Sequence, residues 1–192
     1  MPRIETETLA QHRDWRRNQL IDAAASIALE SGGGAITVAA VAQRAGLSRT
    51  SVYEYFGSSA DLVADLVIDE LNNFAKYLTE QVEQNTDPRN CIELWIEAAL
   101  TYIADGRHLL AKALNLTTLP QGRSNQIRTA HRALLAPLMQ ALEALNITEI
   151  PRALAFIQAV TDVSTKRIEA GHEAKAEIKS ATTFCISGLT AI

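Results

Sequence analysis

Aromatic residues, prolines and cysteines are all scarce in this chain, and each scarcity excludes something. Phe, Trp and Tyr make up 5% of 192 residues, while Ala and Leu are abundant. Strands favour aromatic and β-branched residues and helices favour Ala and Leu, so the composition favours an all-α fold over a β-rich one. There are five prolines and nine glycines. Pro2, Pro88, Pro120 and Pro151 stand before or between candidate helices, and Pro137 alone lies inside one, where a kink is expected. The two cysteines, Cys91 and Cys185, sit in apolar helical patterns. They read as small core residues in a reducing compartment, with a redox pair as the alternative. No apolar run approaches the ~18 residues of a membrane span. The opening MPRIETETLA is polar and acidic and lacks a secretory hydrophobic region. A soluble, cytoplasmic protein is expected, with no membrane partner.

Reaction chemistry is equally sparse. Gly32-Gly33-Gly34 is followed by no Lys-Ser/Thr, so it reads as a helix end and not as a phosphate cradle. No Cys or His pair has zinc spacing, and His12, His108, His131 and His172 are scattered. Glu93 and Glu97 are one helical turn apart, but nothing near them supplies a nucleophile or an oxyanion donor, so they read as a solvated face. No catalytic residue, metal or cofactor is assigned, and an enzyme ranks last among the readings. The net charge of −4 shows no general basic character. Residues 1–57 carry six arginines and six carboxylates, so the remainder carries the whole deficit. Nucleic-acid binding would therefore need a local positive patch, which a dimer can supply on one face.

What is present is the stretch Thr37 to Phe56, TVAAVAQRAGLSRTSVYEYF. Thr37 can cap a helix whose first amides lack backbone partners. Val38, Val41 and Ala42 then recur at helical spacing. Gly46 supplies the backbone freedom of a sharp turn, and Leu47 can point inward between two helices. Ser48 can cap a second helix, with Val52 and Phe56 on its buried side. Arg49, Thr50, Ser51, Tyr53 and Tyr55 are left on the open side. A short helix with these groups outward suits a major groove, where residues near its start face base edges and flanking hydroxyls reach phosphates.

Thr37, the run VAQRAGLS (41–48), Tyr53-Glu54-Tyr55-Phe56 and the Ser58-Ser59 link leading to Asp61 and Leu62 resemble the helix-turn-helix of the tetracycline-repressor-like (TetR) family of bacterial transcriptional regulators. The resemblance covers about residues 14–70. Two positions depart from it: Ser59 stands where a phosphate-holding Lys is common, and Thr50 where a smaller residue is usual. The resemblance implies a DNA-binding head at 1–57, with the helix-turn-helix at 37–56, and a helical ligand-binding and dimerisation domain at 58–192. It implies a homodimer on a roughly palindromic double-stranded operator, released by a small-molecule effector. Arg49, Thr50 and Ser51 are assigned to base edges, and Thr37, Ser48, Tyr53 and Tyr55 to phosphates.

The rest of the chain reads as helices. Residues 1–12 are expected to be a flexible arm carrying Arg3. A first helix is expected over 14–31 with Arg13, Arg16 and Arg17 clustered at its start, where a phosphate or a solvated face explains cations that oppose the helix dipole. Further helices are expected over 61–84, 88–105, 107–116, 125–145, 148–170 and 173–189, with a loop over 117–124. The resemblance gives the helix over 61–84 the role of joining the head to the larger domain and transmitting its shifts. Phe74, Trp95, Tyr102, His131 and Met139 are the expected pocket residues, because aromatic and Met side chains line apolar cavities. In the family the last two helices pair with their copies in a four-helix bundle. Phe156, Ile157, Val160, Ser164, Ile178 and Cys185 are the expected interface. The competing reading is an all-helical protein–protein interaction module that has lost DNA binding, supported by Ser59 and the neutral head.

Overall fold

The computed structural model describes residues 9–114 and 121–189, and those residues form helices with no strand among them. In order they are α1 (Leu9–Ser31), α2 (Val38–Ala45), α3 (Arg49–Tyr53), α4 (Ser59–Val82), α5 (Pro88–Ala104), α6 (Leu109–Leu114), α7 (Ser124–Ala144), α8 (Ile150–Glu169) and α9 (Ala174–Leu189). Short 3-10 turns stand at Gly33–Ala35 and Gln121–Arg123. The all-α expectation holds, and the expected element order is recovered.

Three boundaries differ. α1 begins at Leu9, not near Asp14. Leu9, Ala10, Gln11 and Arg13 are good helix formers with no breaker among them, so the helix extends into what was expected to be an arm. Arg3 lies outside the described residues. α3 is five residues long and ends at Tyr53. Tyr55 and Phe56 follow in a turn, their amides both donating to the Val52 carbonyl at 3.0 Å. α6 ends at Leu114 within the described residues; the expected end at Leu116 and residues 117–120 of the expected loop lie outside them, and the rest of that stretch is the Gln121–Arg123 turn and the start of α7.

The chain divides into two units by its contacts: Met1–Glu70 with Leu110–Ile127, and Leu71–Leu109 with Arg128–Ile192. The expected boundary at 57/58 thus falls inside the first unit. The reason is packing. Leu62, Val63 and Leu66 of α4 and Leu114 of α6 are buried with Leu20, Ala24, Ile27, Val41, Val52 and Phe56 in one core. In the second unit α5, α8 and α9 pack on one another. Ile92, Ile96 and Leu100 of α5 lie in one core with Leu78, Leu138, Leu142, Ala153, Ile157 and Ile186. α5 is started by Asp87, whose carboxylate accepts from the Arg89 amide at 3.2 Å, with Pro88 in the first turn. Trp95 is buried in this core, and its indole N–H donates to the Leu134 carbonyl at 3.2 Å, one turn before Pro137. A buried indole needs such an acceptor.

Cys185 is buried and Cys91 half-buried, and both are free thiols. Burial pushes the Cys185 thiol up to about 11. Burial also raises Cys91, with Asp87 adding to the effect, and its S–H points at the Asn85 carbonyl, 3.3 Å away. Both are held in the unreactive thiol form, as core residues are. No helix among the described residues is long and apolar enough to cross a membrane.

Candidate nucleic-acid interface

α2 and α3 are set by short-range contacts. The Ala40 amide donates to the Thr37 hydroxyl oxygen at 3.1 Å, and the Ser51 amide donates to that of Ser48 at 3.1 Å. Each helix therefore starts where its capping residue dictates. Between them Gly46 adopts φ 67°, ψ 32°, the left-handed conformation. The Leu47 amide then closes back on the Ala42 carbonyl at 2.9 Å, and the Leu47 side chain packs against the head core. This is the glycine-dependent helix stop that turns the chain sharply. Val52 and Phe56 are buried, at 0% and 2% exposure, which fixes the face that α3 turns outward.

That outward face carries Arg49 and Thr50, both exposed, with Ser51 half-buried beside them and Tyr53 57% exposed. The Ser48 and Ser51 hydroxyls share a 3.0 Å hydrogen bond. One of their two protons is thus used internally and one stays available. Thr37 is exposed and uses its oxygen as an acceptor, which leaves its O–H as a donor. Tyr55 is half-buried and packs against the head core, not outward as the sequence pattern had placed it. α3 stops two residues short of it, and the turn carries its ring inward.

The charge of the head is also partly spent. Arg44 forms a two-bonded pair with Glu30, both contacts at 2.5 Å, which holds the Glu30 carboxyl below its ordinary range. Arg17, one of the three arginines clustered at the start of α1, is not a solvated cation. It pairs with Asp65 at 2.7 Å and lies 3.7 Å from Asp69. Arg16 donates to the Gln19 side-chain oxygen Oε1 at 3.2 Å and stacks over Trp15 at 5.0 Å, while the Gln19 side-chain amide donates in turn to the Ala45 backbone carbonyl at 3.2 Å. Among the described residues Arg13, Arg16 and Arg49 enter no ion pair. Trp15 is 41% exposed beside them, and sequence reasoning passed it over.

At the start of α4 the Asp61 amide donates to the Ser58 hydroxyl oxygen at 3.1 Å, and the Ser58 hydroxyl donates to the Asp61 carboxylate at 2.8 Å. This reciprocal cap places a carboxylate at the helix N-terminus, and Ser59 beside it adds no positive charge.

In the second unit the expected pocket residues separate. Phe74 stacks on Tyr102 with ring centres 4.3 Å apart, and Tyr77 lies 5.5 Å from Tyr102. The Arg107 guanidinium sits 4.1 Å from the centre of the Tyr77 ring and 4.5 Å from that of Tyr102. Neither Tyr77 nor Arg107 was singled out from the sequence. Trp95 is core, whereas His131 and Met139 of α7 are exposed. Of the expected interface residues, Ile157, Ser164 and Cys185 are buried within the chain, Val160 and Ile178 are half-buried, and Phe156 is 56% exposed. Phe184 and Val163, which were missed, are exposed to 68% and 57%. Phe156, Ala159, Val160, Phe184, Gly188 and Leu189 line an apolar groove of about 420 Å³ along α8 and α9. Among the described residues no group of three or more His, Cys, Asp or Glu is placed to hold a metal.

Residues 20–66 match the family model described as bacterial regulatory proteins, tetR family. Curated transcriptional regulators are similar. The HTH-type transcriptional regulator BetI of Brucella canis is 28% identical over 149 residues, 76% of this chain and 72% of that protein. The HTH-type transcriptional activator FasR of Mycolicibacterium smegmatis is 29% identical over 91 residues, 47% of this chain and 42% of FasR. Against FasR and two further curated regulators the chain spans only 42%, 38% and 47% of their lengths. The fold matches that of the transcriptional regulator FadR from Bacillus subtilis, solved in complex with stearoyl-CoA. The TM-score is 0.72, with 20% identity over 89% of this chain and 98% of FadR.

Proposed function

We propose that this chain, whose residues 20–66 match the tetR family of bacterial regulatory proteins, is a regulator of that family: a dimeric, ligand-responsive transcriptional repressor. The observation that carries the reading is the geometry of the turn and α3. Gly46 and the Ser48 cap present Arg49 and Thr50 outward from a helix whose other side is sealed by Val52 and Phe56. Each subunit lays α3 in a major groove. Arg49 meets a guanine, because its planar fork matches two acceptors on that base. Thr50 and Ser51 read neighbouring edges. Thr37, Ser48 and Tyr53 donate to phosphates, and Tyr55 adds its hydroxyl while its ring stays against the core. Arg13 and Arg16 supply the local positive charge that the head total conceals.

The second copy is the occupant of the apolar groove on α8 and α9. Phe156, Val163 and Phe184 are large apolar side chains left in water, a pattern that marks an interaction surface. A self-complementary face closes into a two-fold dimer. Its two-fold axis is what a palindromic operator mirrors. The effector acts by population shift: a compound that binds better when the two heads are wrongly spaced weakens DNA binding by its differential affinity. FadR was solved with stearoyl-CoA, so long-chain acyl-CoA thioesters are the first compounds to try here. No catalytic step is assigned. FasR is named an activator, so a reporter placed behind the operator tests the proposed repression directly.

The second reading, a protein-docking module without DNA, is favoured by one feature. The Ser58–Asp61 cap with Ser59 puts negative charge where a phosphate contact is usual. A gel-shift titration separates the two readings. DNA upstream of the gene and its neighbours is the probe, with random DNA as competitor, at two salt concentrations. The repressor reading expects a shift that resists competitor and weakens with salt. Complete competition by random DNA, across a selection of genomic fragments, supports the docking module instead.

A further inference from the structure

We propose that Arg123, which lies far along the chain from the DNA-reading motif, is a positioning residue for α3, acting through Asp65 and Arg17 on Phe56; the inference rests on the DNA-binding reading above. Asp65 of α4 has a side chain only 14% exposed, and its two oxygens are divided between two cations from distant parts of the sequence. Oδ2 accepts from Arg17 of α1 at 2.7 Å, and Oδ1 accepts from Arg123. The Arg17 guanidinium lies 5.9 Å from the centre of the Phe56 ring. Phe56 is 2% exposed, and its amide bonds back to Val52 in α3. The contacts therefore run without a gap from Arg123 to Asp65, to Arg17, to Phe56, to the recognition helix.

The energetics favour a coupled set over independent pairs. A largely buried carboxylate with both oxygens paired loses far more when one partner is removed than an exposed one does, because the freed oxygen has little water to turn to. Its remaining partner must then serve both sites. Arg17 is that partner, and it is also held toward Asp69 at 3.7 Å. Removing Arg123 therefore shifts Arg17 over Phe56. Among the described residues the Arg123 Nε is buried without a hydrogen-bond partner, and the contact with Asp65 is the ion pair that holds the side chain. Arg123 closes the 3-10 turn that leads into α7.

The test uses the full chain and four variants: Arg123→Gln, Arg123→Lys, Asp65→Asn, and Asp65→Asn with Arg123→Gln. Hydrogen exchange is followed at the amides of Val52 to Phe56 without DNA, and binding to operator and to random DNA is measured beside it. Arg123→Gln is expected to speed exchange at those amides about five-fold, to weaken operator binding about five-fold, and to change random binding less. Arg123→Lys keeps a donor for Asp65 and is expected to stay within about two-fold of wild type. In the Asp65→Asn background the Gln change adds nothing further. Unchanged exchange at Val52–Phe56 in Arg123→Gln overturns the proposal, as does a full additive loss in the double variant. A wild-type protein that binds no specific DNA refutes the repressor reading alone, and the exchange data still decide whether Arg123 positions α3.

Discussion

The α2–α3 turn and the α8–α9 face are both built from ordinary helix residues, yet only the first declares its purpose in the sequence. The turn is specified by contacts three to five residues long: Thr37 to Ala40, Ala42 to Leu47, Ser48 to Ser51. Each link needs a particular residue type at a particular spacing, so the string itself carries the shape. On α8 and α9 the information is which apolar side chains remain uncovered. Ile157 and Phe156 are adjacent, and one is buried while the other is in water. Nothing local distinguishes them. A helix with a broad apolar surface has an inner and an outer stripe of similar composition, and only packing assigns them.

The largest effect that would break this comparison is expected on the uncovered face. Phe184→Glu places a charge in the apolar groove, and burying it between two copies costs about 3 kcal/mol or more. Sedimentation should show a monomer where the wild type sedimenting at the same concentration is a dimer, and operator binding should fall with it. A dimer that survives Phe184→Glu unchanged would move the interface elsewhere. Next comes the turn. Gly46→Ala forces a Cβ into a left-handed conformation, at a cost of about 1–2 kcal/mol. There is open space around the site, so the loss is purely conformational. Thermal unfolding should register it, and Gly46→Asn should recover part of it, because Asn tolerates that region.

On the reading surface, Arg49→Ala should cost about 1–3 kcal/mol on the preferred sequence and far less on random DNA. Tyr53→Phe should lower both alike by about 1 kcal/mol, since its assigned partner is a phosphate. Equal losses on both DNAs for Arg49→Ala would remove it from the base contacts. The smallest expected effect is a pH dependence between α8 and α9. Arg167 grips the Glu177 carboxylate through two bonds of 2.8 Å, and that hydrogen bonding holds the Glu177 carboxyl below its ordinary 4.5. A depressed acid contributes stability above its unfolded value and loses it as pH falls through the folded one. The melting-temperature gap between wild type and Glu177→Gln should therefore be small at pH 7 and shrink below about pH 4.5. A gap that grows on acidification would contradict the pairing.

The same contrast explains what sequence reading reached. Helix order, caps at Thr37 and Ser48 and the glycine stop are short-range features, and all appear. The length of α3 was overread because Tyr55 and Phe56 keep the apolar spacing after the helix has ended. For Arg17 the sequence offers a phosphate or a solvated face, and its partners Asp65 and Asp69 stand 48 and 52 residues away, beyond any local pattern. The pocket residues fared unevenly for a related reason. Phe74 and Tyr102 do meet, but Arg107, which covers Tyr102, is an ordinary polar residue until the fold brings it there. His131 and Met139 were chosen by residue type, and type alone does not say which side of α7 faces the core.

The central claim is that two copies of α3, held by the α8–α9 face, read one operator. Hydroxyl-radical footprinting of the selected DNA tests it most directly. The account predicts two protected half-sites related by a two-fold axis and centred about one helical turn, 10–10.5 bp, or a multiple of it apart. A single protected patch, or protection without two-fold symmetry, would contradict it.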